Sequence, residues 1–275
     1  MNDITFAFLL TAIAGTATGL GGLAILFLKK ASKRFLSICL SFSAGVMLYI
    51  SFGEILLEAF GDLEYALGDG VGYLVATVAF FVGILLVAAI DKLIPHNDEI
   101  AELADYAEQG NSDNVTQKEK KELKRTGVMA AIAITIHNLP EGIVIFMAAL
   151  HDPALGIAIA IAIMLHNIPE GIATAAPIYY ATGSKLKAFL FAFGTGYVQL
   201  IGALIAWFLM RNVFDDMEAV FGIAFAVVAG IMVYVSIHQL LPAAKKFGKH
   251  HAVMKWLFAG MAVMAVSLVA LEFVF

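Results

Sequence analysis

Long apolar runs divided by short polar connections set the pattern of this chain. Eight of them, at residues 4–28, 36–59, 71–94, 126–150, 153–180, 185–210, 218–241 and 252–274, exceed what a buried core helix needs. A hydrocarbon core of about 30 Å takes roughly 20 helical residues to cross, so each run predicts a membrane-spanning helix. The pattern therefore predicts an all-α polytopic membrane protein, with one transmembrane domain over residues 1–275. The one long polar stretch, 95–125, mixes Asp98, Glu99, Glu102, Asp105 and Glu108 with Lys118 to Arg125 around Gly110-Asn111-Ser112. It is too short and too charged to bury a core, and predicts a flexible loop.

Composition agrees: 61% of the 275 residues are hydrophobic and 14% charged, with a mean hydropathy of +0.89, which excludes an ordinary soluble domain of this length. The single cysteine, Cys39, has no intramolecular disulfide partner and leaves the redox compartment open. Met1-Asn2-Asp3-Ile4 lacks the basic region that precedes a signal peptide's apolar core, so the first span is expected to stay in the protein.

Charge distribution orients the spans. Lys29, Lys30, Lys33 and Arg34 follow the first span, Lys92 and Lys118 to Arg125 the third, Lys185 and Lys187 the fifth, and Lys245, Lys246, Lys249 and Lys255 the seventh. Sixteen of the seventeen basic residues thus fall on one face, with Arg211 alone on the other. The positive-inside rule makes the basic face cytoplasmic and puts both termini outside. Asp62, Glu64 and Asp69, read as the connection after span two, fall on the opposite face.

Candidate chemistry is concentrated in two six-residue stretches inside spans four and five: His137-Asn138-Leu139-Pro140-Glu141-Gly142 and His166-Asn167-Ile168-Pro169-Glu170-Gly171. Ionisable side chains are costly in hydrocarbon, and their presence there points to function. On a helix, i and i+4 share a face, so His137 stacks with Glu141 and His166 with Glu170, with each Asn about 100° round. Each proline removes a backbone donor and crowds the preceding turn, freeing the carbonyls of Ile136 and Leu165 and bending the helix. The glycine after each Glu admits close approach of another backbone or an ion.

The copies start 29 residues apart across the turn His151-Asp152-Pro153, so their helices are antiparallel neighbours and the motif runs in opposite senses. A pseudo-twofold axis in the membrane plane then relates them, a symmetry common among transporters with a midplane site. Two imidazoles, two carboxamides and two carboxylates converging there make a divalent-cation site. Nitrogen and oxygen donors without thiolate suit zinc, iron(II), manganese, cobalt, nickel or cadmium and disfavour copper(I); two bridging carboxylates would permit a binuclear site.

At these residues the chain resembles the ZIP family of divalent metal transporters, in its bacterial ZupT-like branch. The likeness extends to Ser41-Phe42-Ser43-Ala44-Gly45-Val46-Met47-Leu48 with Ser51 and Glu54, to Asp91-Lys92-Leu93-Ile94-Pro95-His96, to Ala181-Thr182-Gly183-Ser184-Lys185 and to Gly230-Ile231-Met232-Val233. What the resemblance implies is import of divalent metal, zinc foremost, with iron(II), manganese, cobalt and cadmium as further cargo, across a bacterial inner membrane. It implies eight helices as inverted repeats around spans four and five, often as a homodimer, with the lipid bilayer as surroundings, no resident cofactor and no nucleic-acid partner. Carried over by position, His137, Asn138, Glu141, His166, Asn167 and Glu170 are the implied ligands. The family's sixth helix commonly adds a Glu where this chain has Gln199, and its seventh often reads Asp-Glu before Leu where this chain has His238-Gln239-Leu240. With one carboxylate fewer, unpaired cationic charge at low dielectric is expensive, so one ion is expected to bind tightly and a second weakly.

Other polar residues have ordinary readings beside functional ones. Glu54 and Glu58 either line the outer path or are solvated; His238 is either a path ligand or a packing residue; His96, beside Asp98 and Glu99, either holds metal weakly or is solvated, and His250 and His251, read as loop residues, either receive exported ions or are solvated. Met47, Met147 and Met164 are read as core filler. The small residues of span one allow close helix packing. A rival function, an intramembrane zinc-dependent hydrolase, also uses His and carboxylate, but neither motif is HExxH. A proton relay or structural pin is the third class; a carboxamide in both copies favours metal, since it coordinates without titrating.

Overall fold

The computed structural model describes residues 2–27, 33–93, 135, 138–212 and 217–273. His137, the freed carbonyl of Ile136 and the 95–125 loop with His96 lie outside the described residues. The described chain is helical throughout: α1 (Asp3–Phe27), α2 (Lys33–Ile50), α3 (Leu56–Leu67), α4 (Val71–Leu93), α5 (Asn138–His151), α6 (Pro153–Thr182), α7 (Lys185–Asn212), α8 (Met217–Tyr234), α9 (Leu241–Phe247) and α10 (His250–Glu272). A π-helical turn, Ser51–Ile55, joins α2 to α3, and a second, Val235–Leu240, joins α8 to α9. Among the described residues, seven continuous helical stretches are long and apolar enough to cross a membrane, and α5 is a shorter apolar helix.

Sequence sets the helix ends. Asp152 caps α6 by accepting from the Ala154 N–H at 2.7 Å, with Pro153 in the first turn, where a missing donor costs nothing. Gly183, at φ 65°, ends it in the left-handed conformation. Between those ends α6 runs unbroken through Pro169.

The second and seventh spans are longer than the apolar pattern indicated. Helix continues through Asp62 and Glu64 to Leu67, so these acids stand on α3 and not in a connection. Burial of Ala59 and Leu63 on one face explains this: the segment is amphipathic, and an apolar count ends too early. Likewise Lys245 and Lys246 stand on α9, whose Ala244 is buried.

The two halves of the chain repeat one another's packing. A Cβ on Gly142 would strike the Gln199 carbonyl oxygen, and one on Gly171 the Thr18 carbonyl oxygen. Gly202 faces the Leu139 carbonyl as Gly21 faces that of Ile168, and Gly15 and Gly196 face each other's carbonyls where α1 crosses α7. Residues 29 apart in α5 and α6 thus meet residues 181 apart in α1 and α7. The outer helices follow suit: Gly45 faces Leu257 as Gly230 faces Phe80, and Gly83 faces Val227 as Gly260 faces Phe42. Even the π turns correspond, with Ser51 donating to the Met47 carbonyl at 2.6 Å and Ser236 to that of Met232 at 2.7 Å.

These contacts sort the helices into two groups. Helix α1 packs on α6 and α7, and α5 meets α7; α2 packs on α10, while α4 and α3 pack on α8. The seam between the groups is chiefly α2 against α6. Exposed apolar residues such as Leu85 on α4 and Val266 on α10 form the outer surface.

Candidate metal centre

Helices α5 and α6 bring their carboxylates together. Ligand atoms of Glu141, His166 and Glu170 lie within 4.8 Å of one another, and all three residues are buried. His166 Nε2 stands 3.1 Å from Glu141 Oε1, and Gln199 donates from Nε2 to Glu141 Oε2 at 2.8 Å. Two ligand atoms on a tetrahedral zinc, each at about 2.0–2.2 Å, lie roughly 3.3–3.6 Å apart. The His166–Glu141 spacing is that of a hydrogen bond and would open by a few tenths of an ångström to share an ion.

Two carboxylates within 4.8 Å repel by about 3.5 kcal/mol at an effective dielectric of about 20 if both are ionised. A dication between them reverses the sign of that term. Protonation would relieve it too, but leaves the neighbouring oxygens unexplained. Asn138 donates from Nδ2 to the Thr195 carbonyl at 2.9 Å, and Asn167 to the Ala14 carbonyl at 3.0 Å. These anchors fix which end of each carboxamide is nitrogen, and both Oδ1 atoms are buried without a hydrogen-bond partner. So are Gln199 Oε1 and Thr18 Oγ1. A buried acceptor left unpaired costs about 1–3 kcal/mol, and oxygens of this kind are what a hard or borderline cation coordinates.

Of the seven residues singled out from sequence, the structure brings Glu141, His166, Glu170 and Gln199 together; Asn138 and Asn167 are buried on the same two helices with their amides on the Thr195 and Ala14 carbonyls, and His137 lies outside the described residues. Gln199 is seen as a donor to Glu141. Sequence reasoning missed the part played by Ser43. Buried on α2, it donates from Oγ to Glu170 Oε1 or to the His166 carbonyl, each at 3.3 Å, and so reaches the centre from the other helix group. It also missed the Ala14 and Thr195 carbonyls, which side-chain patterns cannot reveal. Their shared spacing of 181, the spacing of Gly15 and Gly196, was the available signal.

His238 belongs to a different group. Its Nε2 is 3.2 Å from Asp91 Oδ2, and Asp91 also accepts from Tyr234 at 3.1 Å and Gln239 at 3.0 Å. That ties α4 to the second π turn, with the His238 side chain about half exposed.

Comparison with known proteins agrees with this geometry. The family model described as ZIP Zinc transporter matches residues 95–268. The chain is 48% identical over 271 residues to the zinc transporter ZupT of Chlorobaculum parvum, covering 97% of this chain and 98% of that one. It is 49% identical to the zinc transporter ZupT of Nitratidesulfovibrio vulgaris, covering 97% of each, and 46% identical to that of Clostridium perfringens, covering 98% and 96%. The match exceeds half the chain and the relatives align end to end: this chain belongs to the ZIP zinc transporter family.

Proposed function

We propose that the chain imports zinc, with iron(II), manganese, cobalt and cadmium as competing cargo, through the Glu141–His166–Glu170 centre. The relatives that carry the name are zinc transporters, and the chain is a multi-pass membrane protein of the same family. A transporter, and not a hydrolase, is the function this supports. The observation that carries the site assignment is the fully buried set of two carboxylates and one imidazole, on helices that also carry two anchored carboxamides whose oxygens lack partners.

In this reading the ion sheds water onto Glu141, His166 and Glu170, with the oxygens of Asn138 and Asn167 completing the shell and His137 as a further ligand. The seam between α2 and α6 then shifts, moving the α1, α5, α6 and α7 group against the rest and exposing the ion to the other side. Support comes from the glycine contacts, which hold each group together internally, while Ser43 crosses the seam at the site. A dication moving down an inside-negative potential gains about 4.6 kcal/mol per 100 mV, so no co-ion is required. The proposal includes eight spans related by an inverted repeat, one domain over residues 1–275 and both termini outside, supported by the matching contacts and the basic face. It also includes the family's homodimer, which cross-linking in liposomes tests.

Zinc uptake into liposomes holding the purified protein, read with a trapped indicator, tests the function. Saturable uptake that vanishes in Glu141→Ala and Glu170→Ala is the expected result. Binding without uptake by the intact protein would overturn transport.

A further inference from the structure

A second cluster of metal-ligating side chains stands apart from the buried centre. Glu58 and Asp62, one turn apart on α3, meet His151 at the last residue of α5, and one ligand atom from each lies within 4.8 Å of the others. We propose that these three residues form an entry site for a divalent transition-metal cation, which loads the deeper centre. The inference rests on the transport reading, and it assigns a site that the paired motifs do not contain.

The donor set is the same in kind as that of the buried centre: one imidazole nitrogen and two carboxylates, without thiolate. Its geometry is held from three sides. The His151 ring sits edge-on to Phe221 at 5.0 Å between centroids and to Phe225 at 6.4 Å, both on α8. That packing presents Nε2 toward Asp62 Oδ1 at 3.4 Å. A charge-assisted hydrogen bond closes to about 2.7–2.9 Å; 3.4 Å is nearer the spacing of two ligands on one ion, about 3.3–3.6 Å. The Asp62 side chain keeps 10% of its exposure and that of His151 26%, so the carboxylate is largely desolvated while water reaches the imidazole.

An ordinary His–Asp pair explains less. Such a pair needs only Asp62 and His151, whereas Glu58 adds a second carboxylate at i−4, a like-charge arrangement that destabilises a helix on its own. A dication offsets that repulsion and uses all three. Position supports the role: His151 follows Glu141 by ten residues, about 15 Å along α5, or half the hydrocarbon thickness from a midplane centre. The proposed topology makes that end external. Ligands come from both helix groups, so an ion here ties α3 to the end of α5 in the arrangement observed.

Equilibrium dialysis with zinc on purified full-length protein separates this site from the buried one. In a Glu141→Gln/Glu170→Gln background, one ion per chain is expected to persist, and adding Asp62→Asn and His151→Gln is expected to remove it. Cobalt(II) in place of zinc should show visible absorption bands of a nitrogen- and oxygen-ligated ion that disappear with the same two substitutions, while circular dichroism shows the helices retained. With the buried centre intact, Asp62→Asn/His151→Gln should raise the half-saturating zinc concentration for uptake about tenfold and leave maximal uptake within twofold; Glu58→Gln should do the same more weakly. No ion in the first background, or an ion that survives the outer substitutions, overturns the site. An unchanged half-saturating concentration overturns its entry role. Loss of uptake by Glu141→Ala tests the transport reading alone, so the two fail independently.

Discussion

Over their described residues, the two copies of the six-residue motif make matching backbone contacts and differ in chemistry. In both, the asparagine is anchored to a carbonyl of the crossing helix, Thr195 for Asn138 and Ala14 for Asn167, and the glycine abuts a carbonyl four residues further along that helix. The carboxylates then part company. Glu141 is approached by His166 and Gln199, both in its own helix group, whereas Glu170 stands within reach of Ser43 across the seam, whose hydroxyl donates to it or to the His166 carbonyl. Thr18 stands where the repeat places the counterpart of Gln199, and its shorter side chain leaves its hydroxyl unpartnered. A symmetric scaffold therefore holds two carboxylates within 4.8 Å of each other, of which Glu170 also has a neighbour from the other helix group.

The largest expected effect removes the shared element. Glu141→Ala and Glu170→Ala should each lower zinc uptake at least a hundredfold, because each deletes one of two anions facing a dication in a buried site. Uptake surviving in either variant at more than a tenth of the intact rate breaks the paired-ligand account.

Next come the glycines, which test the symmetric part alone. Gly142→Ala and Gly171→Ala put a methyl against the Gln199 and Thr18 carbonyls, and backbone on either side has little room to yield. Overpacking of this kind costs about 1–3 kcal/mol, read as a lowered unfolding midpoint in detergent. The two losses should match within about 0.5 kcal/mol; a large difference would show that the crossings are not equivalent.

Much of this was legible beforehand, for reasons that differ by level. The apolar runs placed seven spanning helices among the described residues because lipid forces backbone polar groups to pair within a segment, so length and hydropathy suffice. They failed at α3 and α9, where helix leaves the apolar zone and becomes amphipathic around Leu63 and Ala244. The doubled motif placed Glu141, His166 and Glu170 because i, i+4 spacing fixes a face. It could not place Ser43, whose role depends on how α2 docks on α6, nor His151, read as part of a turn and found to be the last residue of α5 beside Asp62. Both belong to contacts between groups, and these depend on docking that no local period encodes.

The asymmetry itself is sharpened by Gln199→Glu. Gln199 donates to Glu141 at 2.8 Å; a carboxylate in its place adds an anion and removes that donor. Without metal the variant should be less stable, three carboxylates then sharing one buried site. With metal it should bind a second zinc at least tenfold more tightly, seen as a rise in stoichiometry by calorimetric titration. An unchanged stoichiometry and affinity would count against the view that missing charge limits the second ion.

Ser43→Ala is the mildest test and the most specific to the seam. Its hydroxyl makes a hydrogen bond to Glu170 Oε1 or to the His166 carbonyl, both at a long 3.3 Å, so removing it should cost about 0.5–1.5 kcal/mol. No equivalent contact reaches Glu141 from the other group among its described hydrogen bonds, so zinc affinity in this arrangement should fall only about two- to tenfold. The informative readout is the ratio of forward to reverse transport. If Ser43 holds Glu170 only while the groups sit as observed, its loss favours the other arrangement and changes the two directions unequally. If both directions slow by one common factor, Ser43 acts as a simple neighbour of the carboxylate, and the seam has no part in distinguishing the two copies.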